Sequence, residues 1–131
     1  MLGKHPMNIF KGRLVDCKGS LVFEHPDFSF PIPPSASLPE KTSPGNALLL
    51  GIRPEDLVAV SPGTDGLPSL TGQVVLLEPL GAETYVTLET GATRLAWLAR
   101  GPCSCRLGDR LELGVAPEWL YFFGYSKNSE P

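Results

Sequence analysis

The chain has 131 residues, of which 42% are hydrophobic and 19% are charged, and its formal net charge is −3. This composition supports a packed core in one domain or two very small ones, which excludes a disordered tail and a coiled coil. The acidic balance argues against a nucleic-acid partner, and no apolar run is long enough for a membrane span or a signal peptide. We therefore predict a cytoplasmic protein with no direct membrane insertion.

Glycine and proline punctuate the whole chain, with 14 residues of each. These residues break helices, so the short hydrophobic segments between them indicate strands. In the first half, strands are predicted at 8–16, 21–23, 27–32, 47–52 and 58–60. Gly12 is interpreted as a β-bulge, and Pro31 is interpreted as a mark of an edge strand. The proline-rich stretch 31–44 is interpreted as a connector rather than as a polyproline ligand.

The second half repeats this plan of short strands and tight turns. Strands are predicted at 70–77, 84–88, 94–99, 110–115 and 119–123, with turns at 78–81, 89–91 and 108–109. Residues 53–56 of the first half predict a single helical turn, because Pro54 suits the first helical position and two acids follow it.

Two segments of the chain match each other in sequence. The pattern L-x-L-G-[IV]-x-P-E-x-L occurs at 48–57 and at 111–120, an offset of 63 residues (114 − 51). Gly12 and Gly72 also begin similar segments, at an offset of 60 (72 − 12). This repetition predicts two units of about five strands, the inventory of an OB-type barrel. Arg53 has no counterpart in the second copy, where Ala116 stands, so it is a candidate for a carboxylate or phosphate contact.

The sequence carries no recognisable catalytic or metal-binding group. Its two histidines are far apart, and it contains no P-loop, H-E-x-x-H or G-x-S-x-G motif. Cys103 and Cys105 form the only local cysteine cluster, and we expect reduced structural cysteines rather than a zinc site. We therefore expect a non-enzyme with no cofactor and no metal.

Three groups of residues resemble one family in their order and spacing. These are Met7-Asn8 with Gly12, then G-I-R-P-E-D-L at 51–57, then G-Q-V-V at 72–75 with E-P-L-G-A-E-T at 78–84. They resemble the C-terminal TOBE (transport-associated OB) domain of importer-type ABC transporter ATP-binding subunits. The most similar branch is the maltose and glycerol-phosphate, or carbohydrate-uptake, group.

This resemblance implies an all-β, OB-fold-like structure with two interlocked small barrels. It implies one domain at 7–123, made of units at about 7–62 and 70–123, with flexible ends at 1–6 and 124–131. The family's domain pairs with its twin and holds the ATPase subunits together, and in some members it receives regulatory signals. The expected partners are therefore a second copy, the ATPase domain of the same subunit and, indirectly, the membrane subunits. The matching interface residues are Arg53, Pro54, Glu55, Gly81, Glu83 and Thr84.

Two other functions are compatible with an OB-type barrel. A free-standing oxyanion-binding module is the first alternative, because relatives of the fold in molybdate transport bind anions. The chain lacks the anion-binding sequence of those relatives, so this alternative ranks lower. An oligonucleotide-binding module is the second, and the net charge of −3 argues against it.

Overall fold

The computed structural model describes residues 5–61, 66–101 and 104–124. These ranges contain ten strands: β1 (Asn8–Cys17), β2 (Ser20–His25), β3 (Phe28–Pro31), β4 (Ala47–Ile52), β5 (Leu57–Ala59), β6 (Ser69–Leu80), β7 (Glu83–Thr90), β8 (Thr93–Arg100), β9 (Arg110–Val115) and β10 (Tyr121–Gly124). They also contain two single 3-10 turns, η1 (Pro54–Asp56) and η2 (Pro117–Trp119). The all-β prediction and the helical turn at 53–56 are confirmed. Most of the predicted flexible ends lie outside the described residues.

Two five-stranded antiparallel sheets form the fold. In each sheet, one outer strand comes from the other half of the sequence. The first sheet has the order β10-β4-β1-β2-β3, and the second has the order β5-β9-β6-β7-β8. In the first sheet Phe122 pairs with Leu50, and in the second Val58 pairs with Gly114. The repeated segments, β4-η1-β5 and β9-η2-β10, therefore cross over reciprocally. This exchange interlocks the two halves, as the family resemblance implies.

Among the described residues, one hydrophobic cluster includes side chains of both sheets. It includes Phe10 and Leu14 of β1, Phe23 of β2, and Leu88 and Leu113 of the second sheet. Their period-two spacing places one face of each strand inside, and each large buried side chain stabilises the fold by about 1.5–3 kcal/mol. Ala36 and Leu38 of the proline-rich stretch also pack against this cluster, so the stretch is a connector held to the core.

The prediction of a bulge at Gly12 is wrong. The register between β1 and β4 runs without a shift from Asn8 to Arg13. A Cβ at Gly12 would instead collide with the main-chain oxygen of Glu24 and with the ring of Phe23. The glycine is therefore required by a close approach, not by an extra residue. The bulge lies in β6, where the register shifts between Val74 and Leu76.

The predicted turn at 78–81 is also shorter than expected. Glu78, Pro79 and Leu80 continue β6 and pair with β7, so the chain reverses only at Gly81 and Ala82. Gly81 has a φ of +80°, a conformation that favours glycine. The edge position expected from Pro31 is confirmed, because β3 is an outer strand of its sheet.

Side-chain hydrogen bonds connect β8 to the first half of the sequence at three places. The Asn8 side-chain amide donates to the Ala96 carbonyl at 2.9 Å and its Oδ1 accepts from the Ala96 N–H at 2.8 Å. The Thr93 hydroxyl donates to Asp27 at 2.6 Å. The Trp97 indole N–H donates to the Leu57 carbonyl at 3.0 Å, which ties β8 to the exchanged strand β5. Long-range polar contacts of this kind fix how β8 lies against the crossover.

Candidate functional site

The η1 turn presents the charged half of the predicted site. Its Pro54 is fully buried, while Arg53 is exposed and Glu55 is half-buried. The Arg53 guanidinium lies 5.1 Å from the centroid of the Tyr121 ring, a cation–π contact. The main-chain oxygen of Arg53 accepts the N–H of Asp56 at 3.0 Å and closes the turn. The buried proline therefore anchors a turn that exposes Arg53 and leaves Glu55 and Asp56 partly buried.

The second half of the predicted site lies at the β6–β7 turn. Gly81 is in the turn itself, and Glu83 and Thr84 begin β7. Glu83 is directly opposite Arg100 of β8, and Thr84 is opposite Ala99. Arg100 in turn lines a cavity together with Glu55. Arg100 therefore lies between the two groups of predicted residues, because it is opposite Glu83 and lines the same cavity as Glu55. Of the six predicted residues, only Glu55 lines that cavity.

This cavity, hereafter the crossover cavity, has a volume of about 510 Å³. It lies where the chain leaves η1 and enters β5, against β8 and η2. Its lining is Glu55, Asp56, Leu57, Val58, Ala59, Leu67, Trp97, Leu98, Arg100, Ala116 and Trp119. The cavity thus combines two carboxylates, one guanidinium and two indole rings on an aliphatic floor.

Asp56 has the most perturbed environment of the cavity carboxylates. Burial raises the pKa of its carboxyl, and the neighbouring charge of Glu55 raises it further, while Arg53 and Arg100 oppose both effects. Its buried Oδ2 has no hydrogen-bond partner. Both observations indicate a carboxylate whose charge is incompletely compensated within the described part of the chain.

The raised pKa gives a test of stability against pH. Because the folded state holds the Asp56 proton more tightly than the unfolded state, the stability of the protein falls as pH rises above 3.8 through the folded pKa. We expect Asp56→Asn to raise the Tm at pH 7 by about 1–3 °C. Thermal unfolding at a series of pH values measures this difference.

In that series the gain from Asp56→Asn should vanish near pH 3, where the carboxyl is protonated in both states. Glu118→Gln serves as the control, because Glu118 occupies the position of Glu55 in the second copy and is exposed. A gain that is equal at all pH values, or that Glu118→Gln reproduces, would contradict an origin in Asp56 ionisation.

The sequence interpretation missed the four other charged or aromatic residues of the cavity, and the repeat contained a signal for two of them. Asp56 and Trp119 occupy the same variable position of the pattern P-E-x-L, and both line the cavity. Positions at which two copies of a structural motif differ are free to serve a local role. Trp97 and Arg100 carried no such signal, because only the crossover of β5 brings β8 next to η1.

An exposed apolar surface lies beside Arg53 on the outside of the first sheet. Ile9 is 51% exposed and Phe123 is 42% exposed, and both flank Gly51. Tyr121 of the neighbouring strand β10 pairs with Gly51, and the Arg53 guanidinium lies over the Tyr121 ring. Side chains of this kind, a charged residue next to exposed aromatic and aliphatic groups, are typical of protein–protein contact surfaces.

The described ranges meet neither the requirements of a metal site nor those of a membrane-spanning helix. These ranges contain no cluster of three or more candidate metal ligands. None of their helices is long and apolar enough to cross a membrane. The expectation of reduced cysteines is wrong for Cys105, which is disulfide-bonded, whereas Cys17 is free and exposed. Cys103 lies outside the described residues.

Comparison with protein families identifies two successive matches. Residues 50–123 match the model described as the TOBE domain, and residues 6–57 match the model described as the MalK OB fold domain. The two matches overlap at residues 50–57, the segment that contains η1 and enters β5. Neither model describes a nucleotide-hydrolysing domain.

Similar curated proteins are ATP-binding subunits of transporters. The chain is 30% identical over 126 residues to the uncharacterized ABC transporter ATP-binding protein YurJ of Bacillus subtilis, covering 93% of this chain and 34% of the relative. It is 37% identical over 89 residues to the sn-glycerol-3-phosphate import ATP-binding protein UgpC of Chromohalobacter salexigens, covering 66% of this chain and 24% of the relative. The chain thus spans about a third or less of these relatives.

A similar solved structure is the cytoplasmic molybdate-binding protein ModG with molybdate bound. The TM-score is 0.64 at 13% sequence identity, and the match covers 91% of this chain and 96% of that one. At this level of identity the likeness describes the fold alone. It agrees with the OB-like architecture of the two interlocked sheets.

Proposed function

The chain belongs to the TOBE domain family of ABC importer ATP-binding subunits, and we propose that it acts there as a non-catalytic regulatory and dimerisation domain. In this proposal it holds two ATPase subunits together at the cytoplasmic face of the membrane, in a transporter for sugars or related solutes. It contacts the membrane subunits only indirectly. Residues 7–123 act as one domain, built from units at about 7–62 and 70–123.

One observation carries this proposal: the family's charged turn is exposed next to an apolar surface. Arg53 and Glu55 flank the buried Pro54, and Ile9 and Phe123 lie on the adjoining face of the first sheet. A twofold dimer uses the same surface on both copies, so a surface with both charges can be complementary to itself. The apolar neighbours supply the area that the dimer buries, and the charges fix how the two copies are aligned.

Charge reversal at the turn tests the dimer. We expect the isolated chain to form a weak dimer, and Arg53→Glu or Glu55→Arg to weaken it at least about tenfold, equivalent to roughly 1.4 kcal/mol. If Arg53 of one copy contacts Glu55 of the other, the double variant restores part of the association. Sedimentation equilibrium over a range of protein concentrations measures these constants.

The matched control is Glu118→Arg, which reverses the charge at the equivalent position of η2. It should leave the association constant unchanged, because this position lies in the other copy of the turn. The proposed interface is contradicted if the chain stays monomeric at millimolar concentration, or if neither charge reversal at η1 changes the association constant.

The alternative function is oxyanion binding by a free-standing module, which the fold likeness to ModG motivates. The crossover cavity opposes it, because two carboxylates line that cavity and only one guanidinium balances them. Calorimetric titration with molybdate, tungstate and sulfate separates the two functions. Saturable heat with any of these anions would favour the alternative, and no heat would leave the dimerisation domain as the function.

A further inference from the structure

The crossover cavity has the size and lining of a small-molecule site. Its volume of about 510 Å³ lies within the usual range of roughly 300–1,000 Å³ for ligand pockets. Most of its wall is aliphatic or aromatic, and a few charged groups converge on it. Pockets of this composition orient a ligand through the charged groups and hold it by apolar burial.

The charge of the cavity is predominantly negative. Glu55 and Asp56 both line it, whereas its one guanidinium, from Arg100, lies opposite Glu83 in the β7–β8 register. Burial and the charge of Glu55 raise the pKa of Asp56, and Arg53 and Arg100, which both lower it, do not reverse this rise. Arg53 lies over the Tyr121 ring and does not line the cavity. The two cavity carboxylates therefore favour a cation.

The aromatic groups of the cavity favour the same kind of ligand. Trp97 uses its only hydrogen-bond donor on the Leu57 carbonyl, so it offers the cavity its ring rather than a polar atom. Trp119 is 44% exposed and Val58 is 39% exposed at the same site. An exposed indole is unusual on a surface without a partner, and indole rings attract cations through their quadrupole.

We propose that the crossover cavity binds a small organic cation, an ammonium group with an apolar body, between the carboxylates of Glu55 and Asp56 and the indole rings of Trp97 and Trp119. The carboxylates supply the countercharge, and the rings and the aliphatic wall cover the alkyl part. This binding site goes beyond the proposed dimerisation function. It lies at the crossover of the two halves, where a bound ligand contacts η1, β5, β8 and η2 together.

Two probes of nearly equal shape test the charge requirement. Choline carries the cation, and 3,3-dimethylbutan-1-ol replaces its nitrogen with carbon and carries none. Intrinsic tryptophan fluorescence reports binding, because both tryptophans of the chain line the cavity. The titration uses protein concentrations at which sedimentation finds only monomer, so its result is independent of the dimer. We expect a saturable fluorescence change with choline and none with the neutral analogue.

Variants then locate the site. We expect Glu55→Gln and Trp119→Ala to weaken choline binding roughly threefold to tenfold each, the range for one partner of a cation–π and ion-pair site. Glu118→Gln is the matched control and should bind as the parent chain does. The proposal is overturned if choline gives no saturable change, if the neutral analogue binds equally well, or if Glu118→Gln weakens binding as much as Glu55→Gln.

Discussion

Gly12→Ala should destabilise the protein by about 3 kcal/mol and lower its Tm by roughly 10 °C. A Cβ at this position would lie 2.6 Å from Cζ and 2.9 Å from Cε1 of the Phe23 ring, and it would also collide with the main-chain oxygen of Glu24. Phe23 is completely buried, and the oxygen belongs to a paired strand, so neither neighbour can move away cheaply. Urea unfolding followed by circular dichroism measures the loss.

The repeat supplies the control for this substitution. Gly72 begins the equivalent segment of the second half, but a Cβ there would meet the Glu89 oxygen and the Leu88 Cβ at 3.1 Å. These contacts require shifts of only a few tenths of an ångström, and alanine also reduces the entropy of the unfolded chain. We expect Gly72→Ala to cost about 1 kcal/mol or less. Equal losses at Gly12 and Gly72 would contradict the steric explanation.

These two glycines also illustrate what the sequence could and could not predict. The repeat of glycine followed by hydrophobic residues predicted both strands correctly, since strand propensity and turn residues are local properties. The sequence could not distinguish a bulge from a close approach at Gly12, because the obstructing ring of Phe23 belongs to another strand. The bulge at Val74 and Leu76 was missed for the same reason, since it depends on pairing between β6 and β7.

The candidate site follows the same division between local and long-range information. Arg53, Pro54 and Glu55 were identified because the turn that carries them is a local motif. Trp97 and Arg100 lie more than 40 residues away, and only the exchange of β5 into the second sheet brings them beside η1. A sequence repeat reveals that two units exist, but it does not reveal which strand completes which sheet.

The crossover links the stability of the fold to the geometry of the cavity. Leu57 and Val58 belong to the first half of the sequence, yet they pair only with β9 and form one wall of the cavity. The opposite wall is β8, the other outer strand of the second sheet. A contact that holds β8 in place therefore sets the width of the cavity as well as the packing of the two halves.

Asn8 makes such a contact, and Asn8→Ala should destabilise the protein by about 2 kcal/mol. Its side chain donates to the Ala96 carbonyl and accepts from the Ala96 N–H, so it satisfies both main-chain groups of Ala96. Alanine would leave these part-buried groups without partners, because β7 bonds only the other side of the strand. Urea unfolding measures the total cost.

Hydrogen exchange at the Ala96 amide gives the local measurement. In Asn8→Ala this amide should exchange much faster than in the parent chain, while the amides that β8 bonds to β7 keep most of their protection. Asn8→Asp is the matched control, because it retains an acceptor for the Ala96 N–H but has no donor for the carbonyl, so protection at Ala96 should persist. Unchanged exchange at Ala96 in Asn8→Ala would show that Asn8 does not secure β8. Asn8→Ala alters neither binding carboxylate. A lower choline affinity in this variant would therefore show that the position of β8 affects binding in the cavity.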